Sequence, residues 1–487
     1  APIYVVNFTH QDVMKTANGL LSIKVVSSEI RQTLKERIKK ASWNTPFGKE
    51  LKRLLHAGIG VHFAGMLPKY RTLVEKLAQA GLLGVVCGTD TLGVGINMPI
   101  RTVLFSQLCK YDGRKTRILS AREFHQIAGR AGRKGFDTIG LVCAQAPQHV
   151  IENEREKRKM AAKGRSSKKL RLQKAPDRNY AHWTQETFET LQTLPPEPLK
   201  PHFELEHRTV LDLMRRRDLA HRPGGAYRRL VELIEAADTT PSRKRGQRRR
   251  LKRQTRELVE AGLIYLDREN KNFCANEKLQ ENFSIFSEMS LFIVWALKEL
   301  HNTEFDPLAV IGLIESVQED SGVILRAQLN KLRQEALSAM KADGVPYEER
   351  IERLDALEPP APENVDQLFQ LFERYSLERP YLSNRTLSPK WITGHLINFE
   401  LSFNEYIREL GLKNVEGLML RYLSQSTKML TQTIPEELST TELKEAIEHL
   451  RSIIGAVDRT YETAEAPAAS NTISMKLPKE KTLTERE

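Results

Sequence analysis

The chain has 487 residues, long enough for three domains with separate cores, and its 75 lysines and arginines against 62 aspartates and glutamates leave a net charge of +13. That excess suits a polyanionic partner or a solvating surface. Its four cysteines are scattered, without the paired spacing of a zinc site or disulfide framework, and no apolar span reaches bilayer length, so the composition points to a reducing, cytoplasmic setting with no membrane partner.

In chain order, short apolar runs at Ile3 to Phe8, Val61 to Phe63, Gly84 to Cys87, Thr102 to Ser106 and Gly140 to Ala144 alternate with helical stretches such as Ser28 to Ala41 and Lys69 to Ala80. This alternation predicts an α/β unit over 1–150, a mostly parallel sheet with helices on both faces. Ligands bind such sheets beyond the carboxyl ends of the strands. His62 lies beside an apolar run and is assigned no chemistry.

Two loops in this unit carry chemistry. In Val86-Cys-Gly-Thr-Asp-Thr-Leu-Gly-Val-Gly-Ile-Asn-Met-Pro99, Gly93 and Gly95 let the main chain pass close to a ligand, and Asn97 can both donate to and accept from a sugar hydroxyl. Asp90 there reads equally well as a helix cap or turn residue. In Phe124-His-Gln-Ile-Ala-Gly-Arg-Ala-Gly-Arg-Lys-Gly135, Arg130 and Arg133 stand three residues apart on one helical face, aiming two guanidinium forks at one anion such as a nucleotide γ-phosphate.

These runs resemble motifs V and VI of superfamily 2 helicases. Val61-His-Phe-Ala-Gly-Met-Leu-Pro-Lys-Tyr-Arg71 and Lys110-Tyr-Asp-Gly-Arg-Lys are similar to segments of the DExH-box RNA helicases of the superkiller and exosome-assisting type. The resemblance implies that 1–150 is a second RecA-like domain. It gives Arg130, Arg133 and Gln126 catalytic roles, places Gly95 and Asn97 at the nucleotide, and sets Gly65 and Thr89 at the nucleic-acid backbone. It also implies ATP and Mg as cofactors, RNA, single-stranded or structured, as substrate, a ribonuclease partner and a monomer. No glycine-x-x-x-x-glycine-lysine-serine/threonine loop or aspartate-glutamate pair of the DExH kind is found, and Gly48-Lys49 does not supply the former. The expectation is therefore the C-terminal portion of a longer helicase, inactive alone, with the cofactors held mainly by a first RecA-like domain.

Residues 151–203 are rich in lysine and arginine and then in proline. They read as a connector, either a charged helix spanning a gap or a direct nucleic-acid contact. Over 204–280 an apolar stripe at Leu205, Val210, Leu211 and Met214, a helix end at Arg256 to Ala261, and strands at Leu263 to Leu266 and Asn272 to Ala275 predict a winged helix. The run Arg243-Lys-Arg-Gly-Gln-Arg-Arg-Arg-Leu-Lys-Arg253 is expected just before the last helix, touching nucleic acid or only keeping a loop soluble. Arg215 to Arg253 is too short for the arch that exosome-serving relatives insert there.

Helical spacing at Ile285 to Leu300, Ala309 to Val317, Val323 to Met340, Val365 to Tyr375 and Leu443 to Val457 predicts an all-α bundle over 281–462. Val415-Glu-Gly-Leu-Met-Leu-Arg-Tyr-Leu-Ser-Gln-Ser-Thr-Lys-Met-Leu430 resembles the ratchet helix of exosome-type helicases. Leu420, Leu423 and Leu430 then face inward, and Arg421, Gln425 and Lys428 face a single strand, or simply water as in any amphipathic helix. Pro389 to Tyr406 resembles a C-terminal region of the bacterial, actinobacterial-like branch, with Trp391 either stacking on a base or buried. Residues 463–487 read as a disordered tail. Beside the RNA helicase stand two alternatives: a DNA-repair helicase of related layout, and a non-catalytic nucleic-acid or protein binding scaffold.

Overall fold

The computed structural model describes residues 2–90, 100–132, 137–162, 172–176, 180–198, 203–220, 224–280, 282–287, 289–300, 307–319, 321–379, 382, 385–435 and 439–458. The first unit runs β1 (Ile3–Asn7), α1 (His10–Gly19), α2 (Ser28–Lys39), α3 (Pro46–His56), β2 (Ile59–His62), α4 (Pro68–Gln79), β3 (Val85–Thr89), β4 (Thr102–Phe105), β5 (Cys109–Tyr111), β6 (Thr116–Ile118), α5 (Ala121–Ala128) and β7 (Leu141–Ala144). Five strands form one parallel sheet in the order β2-β3-β1-β4-β7. The five apolar runs read from sequence are these five strands. Every residue of β2 and β3 is buried, as expected of strands covered on both sides.

Local chemistry sets the helix starts. Thr9, Ser27 and Thr45 each accept an amide hydrogen bond at the first turn of α1, α2 and α3, and proline opens α3 and α4. Between β4 and α5 the antiparallel hairpin β5–β6 turns on Asp112, whose Oδ1 accepts the amides of Arg114 at 2.9 Å and Lys115 at 3.0 Å.

Two helices follow, α6 (Gln148–Ala162) and α7 (Gln185–Thr193). Part of this stretch packs on the sheet unit. Trp183 and Leu191 are buried in the sheet unit's core, the Trp183 indole donates to the Gln145 carbonyl at 3.0 Å, and Phe188 meets Phe124 edge-on. These apolar residues bring the segment from Trp183 to Leu191 onto the sheet unit.

Next come α8 (His207–Met214), α9 (Arg217–Ala220), α10 (Gly225–Ala236), α11 (Pro241–Glu260) and the antiparallel pair β8 (Ile264–Asp267) and β9 (Asn272–Ala275), which enclose a core of their own. The basic run does not precede the last helix; it is most of α11, a continuous 20-residue helix capped by Thr240 and opened by Pro241. The remaining elements are helical: α12 (Ser290–Leu300), α13 (Pro307–Val317), α14 (Gly322–Ala342), α15 (Tyr347–Asp355), α16 (Val365–Leu377), α17 (Thr393–Asn398), α18 (Phe403–Glu409), α19 (Glu416–Gln432) and α20 (Thr441–Val457). Helix α12 begins five residues later than its apolar spacing predicts: the Ser290 hydroxyl accepts the amides of Phe286 and Ser287 and so holds the chain before it in a turn outside the helix.

Helix α19 joins two cores. Met419, Leu420 and Leu423 pack with the sheet unit, while Met429 and Leu430 pack with α12, α13, α16 and α20. Under its middle lies a buried polar network. Glu315 accepts the amides of Ile392, Thr393 and Gly394 at the start of α17, which has no side-chain cap of its own, and burial pushes its carboxyl up. Ser426 donates to Gln318 Oε1 at 2.7 Å and accepts from Thr393 at 3.0 Å. Trp391 is buried, its ring lying flat where a Cβ on Gly394 would stand, so of the two readings for this tryptophan the core applies.

Candidate nucleotide and nucleic-acid interface

The carboxyl ends of β2, β3 and β1 bring together the loop through Gly65, the pair Thr89–Asp90, and Asn7. Beneath this rim the buried Tyr4 hydroxyl donates to the Thr89 carbonyl at 2.5 Å. Burial, helped by the Asp90 carboxylate, pushes Tyr4 up, while the Arg130 guanidinium pulls it down. Arg130 and Asp90 thus act with opposite sign on one phenol. Arg130 is partly exposed in the turn that follows α5, and Gln126 is exposed on that helix.

The turn carrying Arg130 is held by backbone. Its amide donates to the Ile127 carbonyl at 3.1 Å, and the Gly132 amide donates to the Ile100 carbonyl at 3.0 Å. Gly132 has φ +89°, and a Cβ on Gly140 would stand 2.5 Å from the Ala131 carbonyl, so only glycine lets the turn cross the entry to β7. Arg133, Gly95 and Asn97 lie outside the described residues.

An ion network missed in the sequence ties these parts together. Lys110, on the hairpin, places its Nζ 3.0 Å from Asp90 Oδ2 and 2.9 Å from Glu123 Oε1. Glu123 is also gripped by both terminal nitrogens of Arg117 at 2.9 Å and accepts the Ser120 amide, completing a capping box at the start of α5. Burial raises Glu123, but Arg117, the Ser120 amide and Lys110 outweigh it and bring the carboxyl to about 2. Burial likewise opposes the Lys110 charge, and the two carboxylates more than restore it. The role of Asp90 thus resolves into an ion pair. The Ser120-x-x-Glu123 spacing was the legible signal; the lysine partner was not.

Gly65 is buried, and what its missing side chain admits is the Asn414 carbonyl and the His10 ring, each 3.3 Å from where a Cβ would sit. The Gly417 amide donates to the Gly65 carbonyl at 2.9 Å, so the loop after β2 and the first turn of α19 meet backbone to backbone. Beside this seam Glu416, only 1% exposed, accepts the Phe47 amide at 2.9 Å and caps α3. His62 is paired with Glu75 at 2.9 Å.

On α19 eleven of seventeen residues are buried. Arg421 is exposed and Gln425 and Lys428 are partly exposed, on the one stripe left open, while Leu420, Leu423 and Leu430 face inward as their spacing predicts. A cleft of about 550 Å³ opens beside the carboxyl ends of β1, β4 and β7, lined by Asn7, Ser106, Gln145 and Tyr180 among others, and contains none of the predicted site residues. Among the described residues no group of three His, Cys, Asp or Glu side chains is placed to hold a metal ion, and no helix is long and apolar enough to cross a membrane.

Comparison with known proteins gives two results. Over about 30% of the chain the relatives are RNA helicases. The chain is 36% identical over 156 residues to the DExH-box ATP-dependent RNA helicase DExH11 of Arabidopsis thaliana, covering 31% of this chain and 12% of that protein. It is 36% identical over 158 residues to the human Superkiller complex protein 2, covering 31% and 13%. With the ATP-dependent RNA helicase mtr4 of Schizosaccharomyces pombe it shares 46% identity over 89 residues, 18% of this chain and 8% of the relative. The chain thus spans about an eighth or less of the length of these curated relatives. Residues 146–476, more than half of the sequence, match a family model described as "Domain of unknown function (DUF3516)", and the chain belongs to that family.

Proposed function

We propose that the chain is the C-terminal part of an ATP-dependent RNA helicase of the superkiller and exosome-assisting type. In this reading 1–150 is a second RecA-like unit, 151–203 joins it to a winged helix at 204–280, and 281–462 is a helical bundle in which α19 is the ratchet helix. The four helices α8 to α11 followed by the β8–β9 hairpin support the winged helix, and the succession of helices α12 to α20 among the described residues supports the bundle.

The observation that carries the proposal is the glycine-dependent turn after α5, where Gly132 and Gly140 hold the backbone that bears the partly exposed Arg130 against Ile100 and the start of β7, in a chain whose relatives include ATP-dependent RNA helicases. Arg130 and Arg133 stabilise charge on the transferred phosphoryl group of ATP bound against the other RecA-like unit, and Gln126, Gly95 and Asn97 line the same nucleotide. Thr89, Gly65 and the open stripe Arg421, Gln425 and Lys428 hold one RNA strand. ATP and the magnesium ion would be held mainly by the first RecA-like unit; among the described residues this chain has no group of three His, Cys, Asp or Glu side chains to hold a metal. A ribonuclease receiving the strand is the partner this class implies.

The test uses the helicase with both RecA-like units. Arg130→Ala or Arg133→Ala lowers RNA-stimulated ATP hydrolysis by about 10³-fold or more while RNA affinity holds. Wild-type turnover in either variant removes the assignment. Equal stimulation by matched DNA strands moves the substrate to DNA, and absence of turnover in the unmutated protein leaves a binding scaffold.

A further inference from the structure

Beyond Arg243 and Lys244 in its first turn, helix α11 carries its cations in two sets. One set is partnered: Arg248 pairs with Glu235 at 2.7 Å, Arg250 with Glu204 at 3.1 Å and Arg253 with Glu257 at 3.5 Å. The outward set is Arg245, Arg249, Lys252 and Arg256, all exposed, and no hydrogen bond or ion pair engages them among the described residues. Their spacing of four, three and four residues keeps them within an arc of about 60° over about 16 Å of helix. The opposite side, through Leu251, Gln254, Thr255 and Leu258, is buried in the unit's core, so the stripe is fixed outward.

Like charges at these spacings destabilise the helix that bears them. The carboxylates of the same helix are committed elsewhere, Glu257 to His207 at 2.6 Å and Glu260 towards Arg379 at 3.8 Å. A protein-binding patch would have an apolar or aromatic centre with few charges. This stripe has cations alone, which is the chemistry of a phosphodiester backbone.

We infer that the outward face of α11 is a second nucleic-acid contact, separate from α19, which grips backbone phosphates without reading sequence. It presupposes that the chain binds nucleic acid, the reading given above, and extends the bound length beyond what Arg421, Gln425 and Lys428 hold.

The test measures binding of the 487-residue chain to a fluorescein-labelled 20-nucleotide oligouridylate, and to matched oligocytidylate, across monovalent salt. Substituting Arg245→Gln, Arg249→Gln, Lys252→Gln and Arg256→Gln together lowers the log–log salt slope by about 3 and weakens binding at least tenfold near 0.1 M salt, equally for both sequences. Each single substitution, too mild to unfold an exposed helix, lowers the slope by slightly less than 1. Unchanged slopes in the single variants overturn the inference, as does equal displacement of the RNA by polyglutamate, which would assign the stripe to an acidic protein. If Arg421→Gln with Lys428→Gln loses binding while the α11 variants do not, the inference fails and the helicase reading stands. No binding by the unmutated chain overturns both.

Discussion

Burial pushes the Glu416 carboxyl from an ordinary 4.5 up to about 7, even though the Phe47 amide, Thr45, Lys69 and Lys413 all favour its ionised form. The folded protein therefore holds this proton more tightly than the unfolded chain does. Its contribution to stability is complete below about pH 4.5 and disappears as pH climbs through about 7, a change of about 3 kcal/mol at most. Glu416→Gln, which cannot ionise, should flatten that decline; thermal melts of both proteins from pH 4.5 to 8 should converge at the acid end and separate in the variant's favour at the alkaline end. Parallel curves would show that Glu416 titrates as an ordinary carboxylate. Residues of this kind were only half legible: the glutamate-glycine pair marked the start of a helix, but its cap on α3 joins positions 369 apart in sequence. The outward placement of Arg421, Gln425 and Lys428 was legible, because helical spacing decides which side of a buried helix stays open.

At the level of elements, the β5–β6 hairpin acts as a brace between the end of β3 and the first turn of α5. Replacing Lys110 by methionine leaves Asp90 without its lysine and Glu123 with Arg117 alone. With the lysine about one-fifth exposed, the loss is about 1 kcal/mol, read as a lower urea midpoint at unchanged slope. An unchanged midpoint would reduce the brace to a surface contact. This hairpin escaped the sequence because three-residue strands carry too little alternation to be recognised, and a lysine's partners depend on where the turn delivers it. The five parallel strands were plain for the opposite reason: each is an apolar run bounded by polar or turn-forming residues. Helix α11 shows a third case, in which strong basic charge concealed a buried helical face of Leu251, Gln254, Thr255, Glu257 and Leu258.

At the scale of the molecule, the sheet unit and the C-terminal helices do not behave as beads on a string. Two carboxylates latch them: Glu416 caps α3, and Asp458 accepts the Lys69 amide at 3.0 Å at the start of α4, which has no side-chain cap of its own. Their apolar interiors merge through α19. Leu423→Ala, in the sheet unit's core, and Leu430→Ala, in the helical core, should each cost about 2–4 kcal/mol and move one common transition followed by circular dichroism and tryptophan fluorescence. Two separate transitions, each sensitive to one substitution, would show independent bodies. The seam between Gly65 and Gly417 has a mechanical corollary. A Cβ at Gly417 would stand 2.3 Å from the Met66 carbonyl oxygen, so nothing compressible separates the strand-end loop from the helix. Seventeen residues make α19 about 25 Å long, and a tilt of about 5° imposed at this fulcrum swings the opposite tip by about 2 Å, turning a small displacement at the sheet's edge into lever travel.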